Sequence, residues 1–166
     1  MLLQRMLPIL FSLTLLACAD TPEKPAPLPP TRVDLEINGG KIINPDAEGK
    51  AAPVVLRIYE LREQSSFQGA DFFALFDKEQ STLASDLVRK QEIWIKPGEN
   101  KTLQIMPDAD TRMLGFFAAF RKLDNAGWRS LVALTAHQNN AVTLKLDGNA
   151  LSASNIATPP APAPEE

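Results

Sequence analysis

Cysteine and histidine each occur once in these 166 residues, as Cys18 and His137. A single thiol excludes any intramolecular disulfide. One Cys and one His are too few for a zinc site of the usual kind, which takes several nitrogen and sulfur ligands. No glycine-rich phosphate loop is present. Excess positive charge is missing too. Lys and Arg number 17 against 20 Asp and Glu, and no basic cluster stands out, which argues against a nucleic-acid partner. No apolar run reaches the ~20 residues that span a bilayer as a helix.

Catalytic constellations are equally sparse. His137 lies in a polar Ala-His-Gln-Asn-Asn stretch and reads as a turn residue. It could serve a Ser-His-Asp arrangement only if the fold happened to assemble one. Asp108 and Asp110 are spaced for calcium, but the further oxygen ligands and the glycine of a recognised loop are absent. They read as turn acids. The expectation is a binding or scaffolding protein without cofactor or small-molecule substrate, not an enzyme.

What the chain does have begins at its start. Residues 1–5 carry Arg5, and residues 6–17 are uncharged and mostly apolar. A positive start, a short apolar middle and a small residue at the cut are the parts of a secretory signal peptide over residues 1–17. The sequence Leu15-Leu16-Ala17-Cys18 resembles the lipobox of bacterial lipoproteins. In that pattern the thiol receives diacylglycerol, the peptide is cut before the cysteine, and the new amino group is acylated, commonly as palmitate. Two acyl signals already anchor stably where one chain does not. Asp20 follows Cys18 by two places, with Ala19 between. By the lipoprotein sorting pattern, the missing acid directly after Cys favours the outer membrane, facing the periplasm. Cleavage removes only Arg5 among charged side chains, leaving 16 Lys and Arg against 20 Asp and Glu, a formal charge of −4.

The prolines divide the rest. Five of the 14 fall in residues 19–31 and four in residues 157–166. Proline removes donors and fixes φ, so residues 18–31 read as a lipidated Cys and a semi-rigid tether. At ~3.1 Å per residue it reaches up to ~40 Å. Residues 157–166 read as a disordered tail. Between them, residues 32–156 form one domain of ordinary size.

Within that domain Val33, Leu35 and Ile37 alternate with Asp34 and Glu36, a half-buried strand that Gly39-Gly40 should end. Residues 41–52 then break pattern, and a loop that long inside a compact domain usually has a task. Residues 53–62 are apolar on both faces, as a central strand of a layered sheet would be. Phe72, Leu75 and Phe76 follow a helical stripe with Asp71 at its start, and Leu83 and Leu87 repeat the spacing. This gives a small helical insertion at about residues 70–88. Residues 92–96 and 102–105 read as a hairpin around Pro97-Gly98-Glu99-Asn100. Strands over residues 113–121, 128–135 and 142–146 follow, with turns at Asp124–Gly127 and Asn139-Asn140. The fold class is all-β: a two-sheet β-sandwich.

One ordered set of motifs carries a resemblance. The lipobox, Pro53-Val-Val-Leu-Arg-Ile-Tyr-Glu-Leu61, Phe67, Ala70-Asp-Phe-Phe-Ala-Leu-Phe76, Asp86-Leu87, Pro97-Gly-Glu99, Ala118-Ala-Phe-Arg121 and Trp128-Arg129 are similar to the TssJ family, also called SciN or VasD. These are outer-membrane lipoproteins of type VI secretion systems. The resemblance implies a transthyretin-like sandwich. It also implies membership, with TssM and TssL, of the membrane complex that anchors the injection machine. The family's contact with the periplasmic C-terminal part of TssM lies in the loop after the first strand. On this chain that loop is residues 41–52, with Ile42, Ile43 and Pro45 as apolar contacts and Asn44, Asp46 and Glu48 as a polar rim. For Ile42 and Ile43, packing in the core is the competing expectation. Two other classes stay open. One is a carrier or chaperone with Phe72, Phe76, Phe116, Phe120 and Trp128 lining a cavity. The other is a hydrolase built on His137.

Overall fold

A computed structural model describes residues 27–160. Eight strands form two four-stranded sheets. The first sheet has the order β4-β1-β7-β8, and the second β3-β2-β5-β6. The strands are β1 (Arg32–Ile43), β2 (Val54–Leu61), β3 (Leu87–Ile95), β4 (Asn100–Ile105), β5 (Met113–Ala118), β6 (Arg129–Ala133), β7 (Asn139–Gly148) and β8 (Ala150–Thr158). All pairings are antiparallel except β1 with β7. Cys18, the signal peptide and most of the tether lie outside the described residues, as does the tail beyond residue 160. Among the described residues no helix is long and apolar enough to cross a membrane.

The period-2 alternation does the main work. Val33, Leu35 and Ile37 on β1, with Val142, Leu144 and Leu146 on β7, meet Leu56, Ile58, Leu114 and Phe116 from the second sheet in one core. Removing such side chains from water is the chief source of stability. Strand β2 is apolar on its other face too, and that face is covered. Helices α1 (Ser65–Gly69), α2 (Phe72–Asp77) and α3 (Glu79–Leu83), followed by a 3₁₀ turn (Ala84–Asp86), pack Phe67, Leu75 and Leu83 onto Tyr59, Leu61 and Phe117. The insertion therefore spans residues 65–86, beginning earlier than the aromatic stripe indicates. It ends before Leu87, which starts β3 instead of continuing a helix.

Three local expectations give way to tertiary context. Residues 92–96 and 102–105 do not form a hairpin: β3 pairs with β2 and β4 pairs with β1, in different sheets. The intervening turn closes onto β1, where Gly39 N–H donates to Glu99 O at 2.9 Å and Gly98 N–H to Gly40 O at 2.9 Å. Gly39-Gly40 does not end β1. Those glycines admit the turn and a neighbouring strand, since a Cβ at Gly39 would lie 2.7 Å from Glu99 O and one at Gly40 would lie 2.8 Å from Asp147 Oδ1. Last, β8 follows β7 through a tight turn and runs to Thr158, past the boundary the prolines suggest.

Candidate functional site

Strand β1 sets the geometry of the molecule. It starts beside the last tether residues and runs through Ile43, so the loop expected over residues 41–52 begins at Asn44 instead and reaches Pro53, with residues 41–43 in the strand. Its 12 residues, at ~3.3 Å each, separate the two by roughly 36 Å. The tether is held at the first end. His137, in the left-handed region at φ 61°, donates its backbone N–H to Thr31 Oγ1 at 2.9 Å. Its ring Nδ1 lies 2.8 Å from Pro29 O. Among the described residues, its hydrogen-bond partners are Thr31 and Pro29, neither a serine nor an acid. Asp108 and Asp110 are turn acids here: Asp108 Oδ1 accepts from Asp110 N–H, and Asp110 pairs with Arg62 at 3.0 Å. No group of three or more His, Cys, Asp or Glu forms a metal-sized cluster among the described residues.

The loop at the other end is ordered by its own polar atoms. Asn44 adopts φ 48°, a conformation Asn tolerates better than most residues. Its side chain is buried, donating from Nδ2 to Pro53 O at 2.8 Å and accepting at Oδ1 from Arg121 N–H at 2.8 Å. Asp46 Oδ1 accepts from Glu48 N–H at 3.1 Å and Lys50 N–H at 2.8 Å, a side-chain-closed turn with Gly49 at φ 82°. Lys122 Nζ donates to Asp46 O at 3.0 Å. The loop is pre-shaped, which lowers the ordering cost of any contact it makes.

These placements sort the residues expected to meet a partner. Ile43 is fully buried in the core and Asn44 is buried with its polar atoms satisfied, so neither offers a side chain outward. The two expectations for the isoleucines divide between them: Ile43 packs inside and Ile42 is exposed. Glu48 is exposed, and Pro45 and Asp46 are half-buried.

Beside the loop, on the outer face of the second sheet, lies a groove of about 360 Å³ lined by Val55, Phe72, Phe76, Trp94 and Arg121 with the loop ends Asn44 and Pro53. Sequence reasoning did not single out this face. Its signal is Trp94, an aromatic on the polar side of an alternating strand, paired across to Val55. The helices that wall the groove are fixed by Arg57. Its guanidinium donates to the carbonyls of Leu75 and Phe76, pairs with Glu79 at 2.8 Å and Glu92 at 2.9 Å, and lies over the rings of Phe76 and Phe117. Burial lowers the Arg57 pKa, but the hydrogen bond to Glu92 and the neighbouring groups outweigh it and push the net value up. Tyr59 Oη donates to the same Glu79 at 2.9 Å. Arg129 holds the insertion's start through the carbonyls of Phe67 and Ala70.

Of the aromatics named for a carrier cavity, Phe72, Phe76 and Phe120 border the open groove on the outside of the second sheet, and they do not enclose a cavity together with Phe116 and Trp128. Phe116 and Phe120 are buried between the sheets. Phe72 packs against Phe76, Phe117 and Trp128 at centroid distances of 5.7, 5.0 and 5.5 Å.

Comparisons with known proteins agree with this architecture. The family model described as "Type VI secretion lipoprotein, VasD, EvfM, TssJ" matches residues 31–149. The chain is similar to the crystal structure of the type VI secretion lipoprotein TssJ1 from Pseudomonas aeruginosa, with 41% identity and a TM-score of 0.72. That match covers 81% of this chain and 100% of the other. A chain in the structure described as the TssM C-terminal domain from EAEC matches at 28% identity and TM-score 0.63, covering 74% of this chain and 99% of that one. A chain of a type VI membrane complex matches at 28% identity and TM-score 0.64, covering 77% and 98%. No curated protein matches.

Proposed function

The chain belongs to the type VI secretion lipoprotein family of TssJ and VasD, and from that membership we propose that it tethers the secretion membrane complex to the outer membrane. In this reading Cys18, carrying diacylglycerol and an N-acyl chain, fixes the protein in the outer membrane on its periplasmic side. The proline-rich tether supplies reach. The loop of residues 44–53 binds the periplasmic C-terminal region of a TssM protein, which belongs to the same complex as TssL. The role is adhesive and needs no catalytic group.

One observation supports this reading above the others. The tether and the ordered loop sit at opposite ends of β1, so a domain hung from one membrane presents the loop toward the other. Of the residues expected to meet the partner, Ile42 at the end of β1 and Glu48 in the loop are exposed, and Pro45 and Asp46 are partly accessible. The matched chain in the structure described by the TssM C-terminal domain is compatible with such a pairing.

The test is calorimetric binding of residues 19–166 to the periplasmic C-terminal region of the TssM-like protein from the same cell. One-to-one binding is expected, weakened at least tenfold when Pro45, Asp46, Ala47 and Glu48 are replaced by Gly-Ser-Gly-Ser with Asn44 left intact. Absence of binding by the unaltered protein would overturn the role. Binding indifferent to the loop would overturn the assignment of the contact.

A further inference from the structure

We propose that the groove beside the loop is the second half of the partner contact, taking one apolar side chain of the TssM-type protein with a carboxylate beside it for Arg121. This rests on the loop reading above and extends it to a different surface.

Three large apolar side chains stand exposed on or next to this face: Phe73 at 62%, Phe76 at 42% and Trp94 at 60% of their area. Isolated exposed apolar residues are ordinary, but a cluster rimmed by polar groups marks a contact surface. Phe72 links two of them, edge-on to Phe73 at 5.4 Å and stacked on Phe76 at 5.7 Å. Aromatic anchors with an arginine are the composition of interface centres.

Charge fixes the chemistry of the occupant. The groove's lining contains one cation, Arg121, and no acid. Among the described residues the exposed Arg121 guanidinium has no carboxylate within ion-pair distance and no hydrogen-bond partner. A bidentate carboxylate is its natural complement. A second copy of the chain fits poorly, because a two-fold contact through this face would bring the two Arg121 side chains together. A lipid surface fits poorly too, since the tether joins the domain at the far end of β1.

Continuity with the loop supplies the remaining argument. Asn44 and Pro53 are both the ends of the loop and the wall of the groove. Arg121 N–H and Lys122 Nζ bond to loop atoms, so loop and groove form one pre-shaped unit. A partner seated on residues 45–48 reaches this face without any rearrangement.

The experiment uses residues 19–166, which hold both cores, with the variants Trp94→Ala, Arg121→Glu and Arg121→Lys. Binding to the TssM-like region is measured by calorimetry, with melting temperature and light scattering alongside. Trp94→Ala and Arg121→Glu are each expected to weaken binding at least tenfold with an unchanged melting temperature. Arg121→Lys keeps the charge but loses the two-pronged geometry, so its affinity should fall between those of Arg121→Glu and the unaltered protein. Raised salt should narrow the gap between Arg121→Glu and the unaltered protein. If both variants bind within twofold of the unaltered protein while the loop replacement still weakens binding, the groove is not part of the contact and the loop reading stands. If the unaltered protein does not bind, both readings fall. Self-association lost on Trp94→Ala would assign the groove to a second copy and overturn the proposal.

Discussion

Asn44 and Arg121, 77 residues apart in sequence, are joined by a single hydrogen bond of 2.8 Å from the Arg121 backbone N–H to the Asn44 side-chain oxygen. Like the bond from Lys122 Nζ to Asp46 O, it ties the loop after β1 to the segment after β5. The same amide closes the loop on Pro53 O at 2.8 Å. Asn44→Ala removes both bonds at a buried site and places a Cβ residue without a local partner at positive φ. Leaving a buried polar group unpaired costs ~1–3 kcal/mol and an unfavourable backbone region ~1–3 kcal/mol more. A loss of about 2–6 kcal/mol in chemical denaturation is expected. Asn44→Gly relieves the backbone cost only, so it should lose less. Equal losses for the two variants would show that φ contributes nothing.

Arg57 fastens the helical insertion to the sheet, and its removal should loosen that insertion before the sandwich. Its side chain is 14% exposed and that of Glu79 is 16% exposed, so the pair is partly screened. Breaking a fully buried pair costs ~3–5 kcal/mol; for Arg57→Ala about 2–3 kcal/mol is expected after allowing for solvent. The contact with Glu92, 43% exposed, adds little. Hydrogen exchange should show faster opening of α2 and α3 amides, with β1 and β7 protected as before. Uniform acceleration across both sheets would contradict a local anchor.

The division of labour between sequence and structure follows from which forces act locally. The alternation of Val33, Leu35 and Ile37 shows β1 directly, and apolar residues on both faces of β2 announce a covering layer before the layer is seen. β8 escapes such reading because Ser152, Ser154 and Asn155 have weak strand preference. It forms through nine-residue pairing with β7 and a bond from Asn155 Nδ2 to Ala133 O at 2.7 Å. The Pro97-Gly98 turn looks the same whether it closes a hairpin or crosses between sheets. The space left by Gly39 decides, and that is a long-range fact. At the candidate site the length of the loop is visible in sequence. The burial of Asn44, and the loneliness of Arg121, depend on partners far along the chain.

Tyr59 should govern an alkaline decline in stability. Its hydroxyl is buried against Glu79, and burial foremost pushes its pKa well above the ordinary value of 10. The folded state thus holds the phenol proton more tightly than the unfolded chain. The stabilisation is complete below pH ~10 and is lost as pH rises from there toward the folded value, because the unfolded state releases its proton first. Tyr59→Phe removes the bond to Glu79 Oε2 and should cost ~1 kcal/mol at pH 8. Denaturation followed from pH 8 to 11 should show the gap between variant and unaltered protein narrowing. A gap that stays constant or widens would contradict the raised pKa.

Cys18 tests the anchor separately from the contact. Each methylene moved from water into lipid contributes ~0.8 kcal/mol, and two acyl signals suffice for stable anchoring. A triacylated cysteine therefore does not exchange on the timescale of fractionation. Both hydrophobic cores lie within residues 33–151, so losing the lipid should leave folding untouched. Cys18→Ser, expressed in cells lacking the TssM-like protein, should appear in the soluble periplasmic fraction with the melting temperature of residues 19–166. The missing partner matters, because binding through the loop could hold an unlipidated domain near a membrane. Retention of Cys18→Ser with the outer membrane in those cells would show that another part of the chain supplies the anchor. Release there, together with retention when the partner is restored, would establish that lipid and loop hold the protein independently, which is what bridging two membranes requires.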